Sequence, residues 1–332
     1  FFATELRGRV RLRRLTVDGD ERHDADVREL TAAWRSSDTT FTLGAQQLNW
    51  GRMDILRVTD VINPVDQHDL FHEELPEAKL AIWMANLEWQ NGSRTLQIIA
   101  TPQVPMDRLA RRWGGLPVDV AEPRSSLRNS TLAVRYGFEA LGWNADVMAS
   151  RGWQSTPTLR LVMDARGPHL QGVVSRQNNI GFSADKPLGG TVLRLEGLVA
   201  WLKPNDAPAA LAVGDHRQVS LGAGIDVRVD DWFFAGQVIA QNECDSLEGS
   251  SRNIYASVIV QRKWMQDRLA VRALHIHENR GPSSWTSLQT SYELSPNQLL
   301  QMQADWFKGD PAQPFGGFSK RSRIAVSMRL AV

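Results

Sequence analysis

The sequence predicts an all-β fold, a transmembrane antiparallel up-and-down β-barrel of about sixteen strands. Three observations predict it. Segments of about 9–13 residues alternate apolar and polar side chains along most of the chain, against about 5–6 for a usual globular strand and about 9–11 for a tilted strand that crosses a bilayer. Many of them carry a tryptophan at one end: Trp34, Trp50, Trp89, Trp143, Trp153, Trp201, Trp232, Trp264, Trp285 and Trp306. Tryptophan at strand ends fits the interfacial girdles of a barrel. Short and long connections also alternate, as outer-membrane barrels alternate periplasmic turns with external loops. A soluble β-sandwich is the competing fold, but it would place tryptophan mid-strand in its core and use shorter strands.

Composition narrows the function classes. The chain has 38 basic and 37 acidic residues among 332, a net charge of +1, and that balance excludes nucleic acid as the expected partner. The one cysteine, Cys244, has no internal disulfide partner and reads as a lone loop thiol. No signal peptide opens the chain, so a mature or trimmed start is expected. No apolar run of about 20 residues is present, which excludes a membrane-spanning helix and says nothing against a barrel.

The first strand sets the pattern. In Glu5–Arg13 the odd positions are charged and the even ones apolar or Gly, so Arg7, Arg9, Arg11 and Arg13 share one face with Glu5. The same alternation recurs at Leu30–Trp34, Leu132–Phe138, Trp143–Val147, Leu193–Trp201, Val219–Val227, Leu300–Trp306 and Ile324–Val332. Short turns are expected at Ser36–Asp38, Gln90–Ser93, Leu141-Gly142, Asp164–Pro168, Asp230-Asp231, Met265–Asp267 and Ser295–Asn297. Asn91-Gly92 is the strongest of these, as a two-residue hairpin turn. Long connections are expected at Val17–Ala25, Gly51–Ala78, Gln103–Ser126, Asn178–Gly189, Lys203–His216, Asn242–Ser250, Asn279–Ser283 and Lys308–Ser319. Counting gives about seventeen strands, and termini on one side of a membrane require an even number. The excess lies between about residues 165 and 217, which gives sixteen, with fourteen and eighteen as alternatives. Helical signal is confined to Met106–Trp113 and Leu70–Leu75. The whole chain, 1–332, therefore reads as one barrel domain with loop or plug segments at 51–78 and 103–126.

The densest motif lies between Thr40 and Pro105. It comprises Leu43-Gly44, Gln46-Gln47, Trp50-Gly51, Asp54, Leu56-Arg57, Asp60-Val61-Ile62-Asn63-Pro64 and Asp66, then Trp83-Met84-Ala85, Glu88, Leu96 and Pro102. A weaker echo follows at Leu193–Glu196 and Leu221–Asp226, with Trp232 and Gln237. This stretch resembles a family of Gram-negative outer-membrane proteins of unassigned function. The resemblance implies a porin-like or exporter-associated barrel and no assigned substrate. The chain departs from that pattern in having its proline at Pro76 and in ending Leu330-Ala331-Val332 without an aromatic.

Physically, Asn63-Pro64 enforces an extended or turn backbone, Asp60 and Asp66 are placed to cap backbone donors, and Gly51 permits a sharp turn after Trp50. Trp50, Gly51, Asn63 and Pro64 are thus expected to shape a structured loop. Arg52, Asp54, Arg57, Asp60 and Asp66, with Arg7, Arg9, Arg11, Arg13, Arg194 and Glu196, are the candidate lumen or constriction residues. A bilayer-facing arginine at mid-depth costs about 2–4 kcal/mol, so parity points these charges inward, together with Glu29, Arg35, Arg135, Glu139, Asp146, Arg160, Asp164, Asp226, Arg228, Arg272, Asp305 and Arg329. Arg–carboxylate ladders or an anion-selecting wall would each use them. His275 and His277 share a strand face, and His68, His72, Glu73 and Glu74 have helical spacing, but neither group makes a metal set. No catalytic triad, phosphate loop or paired-carboxylate signature stands out, so the chain is read as no enzyme and without a cofactor.

The expected function is an outer-membrane pore or export conduit in a Gram-negative bacterium. It would pass small or amphipathic solutes through a polar, charge-lined lumen. The alternative is a plugged structural barrel that docks a periplasmic or outer-membrane partner. Expected partners are outer-membrane lipids and lipopolysaccharide, a small solute, and a protein of an export system.

Overall fold

A computed structural model describes residues 3–17, 20–53, 55–67, 78–109, 112–113, 116–205, 211, 213–247, 249–279, 281, 283–310, 313, 315–319 and 322–330. For residues 3, 13–17, 20–24, 112, 113, 317 and 330 only the backbone is described.

Twenty strands are described. In chain order they are β1 (Ala3–Val17), β2 (Asp20–Arg35), β3 (Thr39–Gln46), β4 (Ile82–Asn91), β5 (Arg94–Thr101), β6 (Arg112–Trp113), β7 (Leu116–Val120), β8 (Thr131–Ala140), β9 (Trp143–Trp153) and β10 (Thr158–Asp164). They continue with β11 (Gly167–Val173), β12 (Ser175–Leu188), β13 (Thr191–Pro204), β14 (His216–Val229), β15 (Trp232–Asp245), β16 (Gly249–Trp264), β17 (Leu269–Glu278), β18 (Ser283–Ser295), β19 (Gln298–Lys308) and β20 (Arg323–Leu330). Sixteen of them form one antiparallel sheet in sequence order, the wall of the barrel. The order is interrupted only where β5 pairs with β8 and β9 with β12. The expected sixteen is therefore the wall count.

The surplus strand of the sequence count has a physical explanation. The hairpin β10–β11 leaves the wall and joins β7 and β6 in a separate four-stranded sheet. Arg160 and Asp164 therefore lie off the wall, and their parity carries no lumen meaning. Three expected long connections are mostly strand. Residues 175–188 are all β12, with Gly189-Gly190 as the turn, and β1, β2, β15 and β16 extend over most of Val17–Ala25 and Asn242–Ser250. The expected helix at Met106–Trp113 is replaced by extended chain. Arg108 forms a parallel bridge to Asp66, and Arg112–Trp113 forms β6. Pairing partners were available there, and they outweigh weak local helix preference. The β4–β5 turn is shifted by one residue: Asn91 pairs with Arg94, and Gly92, at φ +58°, takes the first turn position. The Leu70–Leu75 segment and the His68–Glu74 group lie outside the described residues.

Alternation sets the two faces of the wall. Leu6, Val10, Leu12, Leu87, Ile98, Val147, Ile180, Leu195, Leu221, Val238, Val258, Leu288 and Met302 all point outward and are exposed. This apolar belt is what a hydrocarbon neighbour requires. Aromatic side chains edge it. At the short-turn end Trp34 stacks on Phe41 and Trp232 on Phe234, each with ring centroids 5.8 Å apart. Towards the long-loop end, Trp83, Trp201 and Trp306 are exposed. Trp50 and Trp285 are instead buried in the interior, which corrects their assignment to the girdles, while Trp153 is buried under Arg176 at the long-loop end of β9. β3 ends at Gln46, so Trp50 belongs to no strand end.

One irregularity re-aims charges. The β1–β2 register shifts between Arg9 and Val10, leaving Arg28 as an extra residue opposite them. This bulge turns Asp26 and Arg28 inward below it and Thr31 and Ala33 inward above it, with Val27 and Leu30 outward. The motif glycine Gly44 has its own reason. At φ +136°, a β-carbon there would sit 2.1 Å from the Leu30 carbonyl oxygen.

The outward belt yields a direct test. Leu288 is 42% exposed in its middle, so Leu288→Arg is expected to cost about 2–4 kcal/mol of unfolding free energy in lipid vesicles. Denaturant titration followed by gel mobility measures this, and Leu288→Ala should cost clearly less.

Candidate functional site

Residues 47–67 leave the wall after β3 and pack against its inner face. Trp50, Val58 and Ile62 are buried in a cluster with Ile82 and Met84 of β4, Ile99 of β5, Ala133 of β8, Met148 of β9, Leu198 of β13 and Ile239 of β15. Each such side chain contributes about 1.5–3 kcal/mol when fully buried. A second apolar cluster joins Phe315 to Ala235, Ile259, Leu274, Ile276, Trp285 and Phe307, with Ile55 and Leu56 against it. Part of the interior is thus an apolar core, which the polar parity of the strands did not announce.

The inserted segment is locked by hydrogen bonds that use its motif residues. Glu196, on β13, is 1% exposed. One of its oxygens accepts from the backbone N–H groups of Arg52 and of Met53 (2.8 Å), and the other from the Thr59 N–H (2.9 Å) and hydroxyl (2.8 Å). Gly51 makes this approach feasible, since a β-carbon there would lie 3.0 Å from the Asp60 Cβ and 3.4 Å from a Glu196 oxygen. Asn63 ties the segment's two ends together. Its Oδ1 accepts from the Leu48 N–H (2.8 Å), and its amide donates to the Gln46 (2.9 Å) and Leu80 (2.8 Å) carbonyls. The Pro64 carbonyl accepts from the Leu80 N–H at 2.8 Å. Trp50 donates its indole N–H to Gln97 Oε1 at 2.8 Å.

The charged candidates divide into two groups. Arg52 pairs with Asp146 of β9 and Asp185 of β12 and donates to Ser183. Arg194 pairs with Asp226 and donates to the Arg52 carbonyl at 2.7 Å. Arg57 donates to the Asn63 carbonyl at 3.0 Å. Asp60 pairs with Lys79 and accepts from the Trp50 N–H at 3.3 Å. Burial pushes the Lys79 ammonium below the ordinary lysine range, and Asp60 opposes that shift. Asp66 pairs with Arg108 at 3.3 Å, which also holds Asp26, and Asp26 pairs with Arg11 at 3.1 Å. All of these groups bind the inserted segment or brace the wall.

Arg7 and Arg9 do something else: they line open space. A cavity of about 420 Å³ runs along the inner faces of β1–β4, bounded by Arg7, Arg9, Arg28, Arg35 and Lys79 and by Glu5, Glu29 and Glu88. Its neighbour towards the short-turn end shares Gln47, Leu48, Asn49 and Glu88 with it, and a third, at the long-loop end, shares Arg28. Arg7 is held by Glu5, and Arg35 pairs with Glu5 at 3.1 Å. Asp54 and the Arg13 side chain lie outside the described residues. His275 and His277 face outward on β17, and among the described residues no group of His, Cys, Asp and Glu is arranged to hold a metal ion.

The sequence reading missed Lys79, Arg28, Gln46 and Asp185 as interior groups. Arg28 was hidden by the bulge, and Asp185 by the expected loop over 178–189. Lys79 carried no signal.

Comparison with solved structures agrees with this architecture. The chain is similar to OccK8 (OprE) of Pseudomonas aeruginosa, at 12% identity and a TM-score of 0.55, over 92% of this chain and 84% of that one. It is similar to OmpT of Vibrio cholerae, at 8% identity and a TM-score of 0.53, over 88% of this chain and 89% of that one. It also resembles an anion-selective porin from Comamonas acidovorans, at 10% identity and a TM-score of 0.51, over the full length of both. The fold is that of outer-membrane porin barrels. No family model and no curated protein matches the chain.

The lock can be broken at its centre. Glu196→Leu strips four donors of their acceptor, and the expected loss is on the order of 3 kcal/mol, concentrated in the insertion. Hydrogen exchange should then accelerate by about a hundredfold in residues 50–60 while the β14–β16 amides keep their protection.

Proposed function

We propose that this chain is an outer-membrane pore for small solutes. Passage runs beside the inserted segment, along the inner faces of β1–β4, and favours anions. The carrying observation is the asymmetric filling of the interior. Apolar clusters and hydrogen bonds anchor residues 47–67 against β4–β15, whereas the β1–β4 side holds three neighbouring cavities lined by polar and charged groups. Around the middle cavity Arg7, Arg9, Arg28, Arg35 and Lys79 outnumber Glu5, Glu29 and Glu88. A ring of basic side chains raises local anion concentration and lowers the barrier to anion passage. A barrel of about sixteen strands is wide enough for a channel even with part of its interior occupied. The similar structures include a porin described as anion-selective, which agrees with this reading.

The second reading is a plugged barrel that docks a partner, and the extent of the Glu196 and Asn63 bonding favours it. Planar-bilayer recording separates the two. The pore reading expects discrete single-channel currents from the unaltered protein and an anion-favouring reversal potential in a salt gradient. Replacing Arg7 and Arg9 by Glu should cut the anion-to-cation permeability ratio by on the order of twofold or more. Glu196→Leu should raise conductance. No current from either the unaltered protein or Glu196→Leu would sink the pore reading.

A further inference from the structure

Arg11, Arg52, Arg135, Arg194 and Arg323 each meet a carboxylate inside the barrel, whereas one outward cluster meets none among the described residues. β9, β12 and β13 run in register at the long-loop end of the wall. Arg151, Asn178 and Trp201 form one outward row, and Trp153, Arg176 and Lys203 form the next. Arg128 stands beside them in the short 3-10 turn Leu127–Asn129 that leads into β8. Arg176 is held in place: its guanidinium lies 3.9 Å from the centre of the buried Trp153 ring and donates to the Arg128 carbonyl (3.1 Å) and Asn129 Oδ1 (2.6 Å). The Trp153 indole in turn donates to the Asn129 carbonyl at 2.8 Å. Arg128 and Arg151 are near enough to repel the Arg176 charge. Arg128, Arg151 and Lys203 are exposed. Among the described residues, none of these four cations has a carboxylate at ion-pair distance.

Like charges gathered on a prepared platform, with no counter-ion among the described residues, favour an external anion. Their position says where it comes from. They sit where the outward apolar belt ends, next to exposed Trp201 (43%), with exposed Leu132 (56%) paired with Arg151 in the same row and exposed Ile180 (58%) one row further into the belt. An outward arginine at that level costs about 0–1 kcal/mol, against about 2–4 at mid-belt. Guanidinium groups bind phosphate through paired N–H donors, and the apolar surface below accepts acyl chains.

We propose that Arg128, Arg151, Arg176 and Lys203 bind the phosphate group of a phosphorylated lipid in the leaflet that surrounds the long-loop end, with its chains lying over Leu132 and Ile180. This rests on the outer-membrane reading but not on conductance. A closed pore would leave the lipid site intact, and a failed lipid site would leave the pore intact.

The test uses the full chain in detergent. Diphosphoryl lipid A is titrated against the same lipid stripped of phosphate by phosphatase, with bound lipid counted by native mass spectrometry. The phosphorylated form should bind at least about tenfold more tightly. The double variant Arg151→Gln with Lys203→Gln, which spares the Trp153 platform, should lose about tenfold or more of that affinity, and Arg151→Lys should lose less than Arg151→Gln, because it keeps the charge but not the paired donors. Heat-modified gel mobility reports whether the variant is folded. Were it not, the two lipids on the unaltered protein decide the matter alone. Equal affinity for the two lipids overturns the proposal. So does undiminished binding by a folded double variant, or full displacement of the lipid by millimolar inorganic phosphate, which would mark a site for a free anion.

Discussion

The interior depends on one carboxylate. Glu196 projects from β13 into a region that excludes water, where an uncompensated charge would cost several kcal/mol. It is compensated by four donors, three of them backbone N–H groups of residues 52, 53 and 59. Those groups belong to a segment with no strand neighbours of its own at that point, and buried backbone donors must find acceptors. The carboxylate and the segment therefore satisfy each other. Gly51 and Trp50 follow from this bond: the first allows the close approach, and the second fills the apolar space beside it.

Filling one side of a barrel fixes the character of the other. Once Trp50, Val58 and Ile62 pack against inner faces from β4 to β15, the described residues leave neighbouring cavities along the polar inner surface of β1–β3. The bulge at Arg28 then matters. It shifts parity within β2, so Asp26 and Arg28 point inward below it and Thr31 and Ala33 above it. Strict alternation would have sent one of those pairs into the membrane.

Fold and strand count were legible because alternation over long segments is a strong signal, and bilayer thickness sets its length. Its failures have local causes. The β10–β11 hairpin alternates as a wall strand does, because both are strands with two unlike faces, and only pairing with β7 reveals that it lies off the wall. Residues 175–188 looked like a loop because Asn178, Asn179, Lys186 and Pro187 interrupt the pattern, yet flanking strands on both sides supply the ladder. At the site, the motif residues Trp50, Gly51, Asp60, Asn63 and Pro64 announced a structured excursion. The groups that hold it in place, Gln97 for Trp50, Glu196 for the backbone of 52, 53 and 59 and Asp185 for Arg52, come from distant strands, and sequence spacing carries no trace of such long-range pairings.

Arginine stands in three kinds of surroundings in this chain. Arg52 and Arg194 are enclosed among Asp146, Asp185 and Asp226, so their charges are spent on holding the inserted segment to the wall. Arg7 and Arg35 share Glu5 beside an open cavity, so part of their field reaches whatever occupies that space. Arg128, Arg151 and Arg176 gather outside, at the edge of the apolar belt, with no carboxylate at ion-pair distance among the described residues. A strand pattern gives each of these residues the same description, a charge at alternate positions. The bonds each one already makes within the chain separate the arginines enclosed by carboxylates from those that face open space or the edge of the belt. That distinction comes from the register of neighbouring strands, which places acids opposite some arginines and not others.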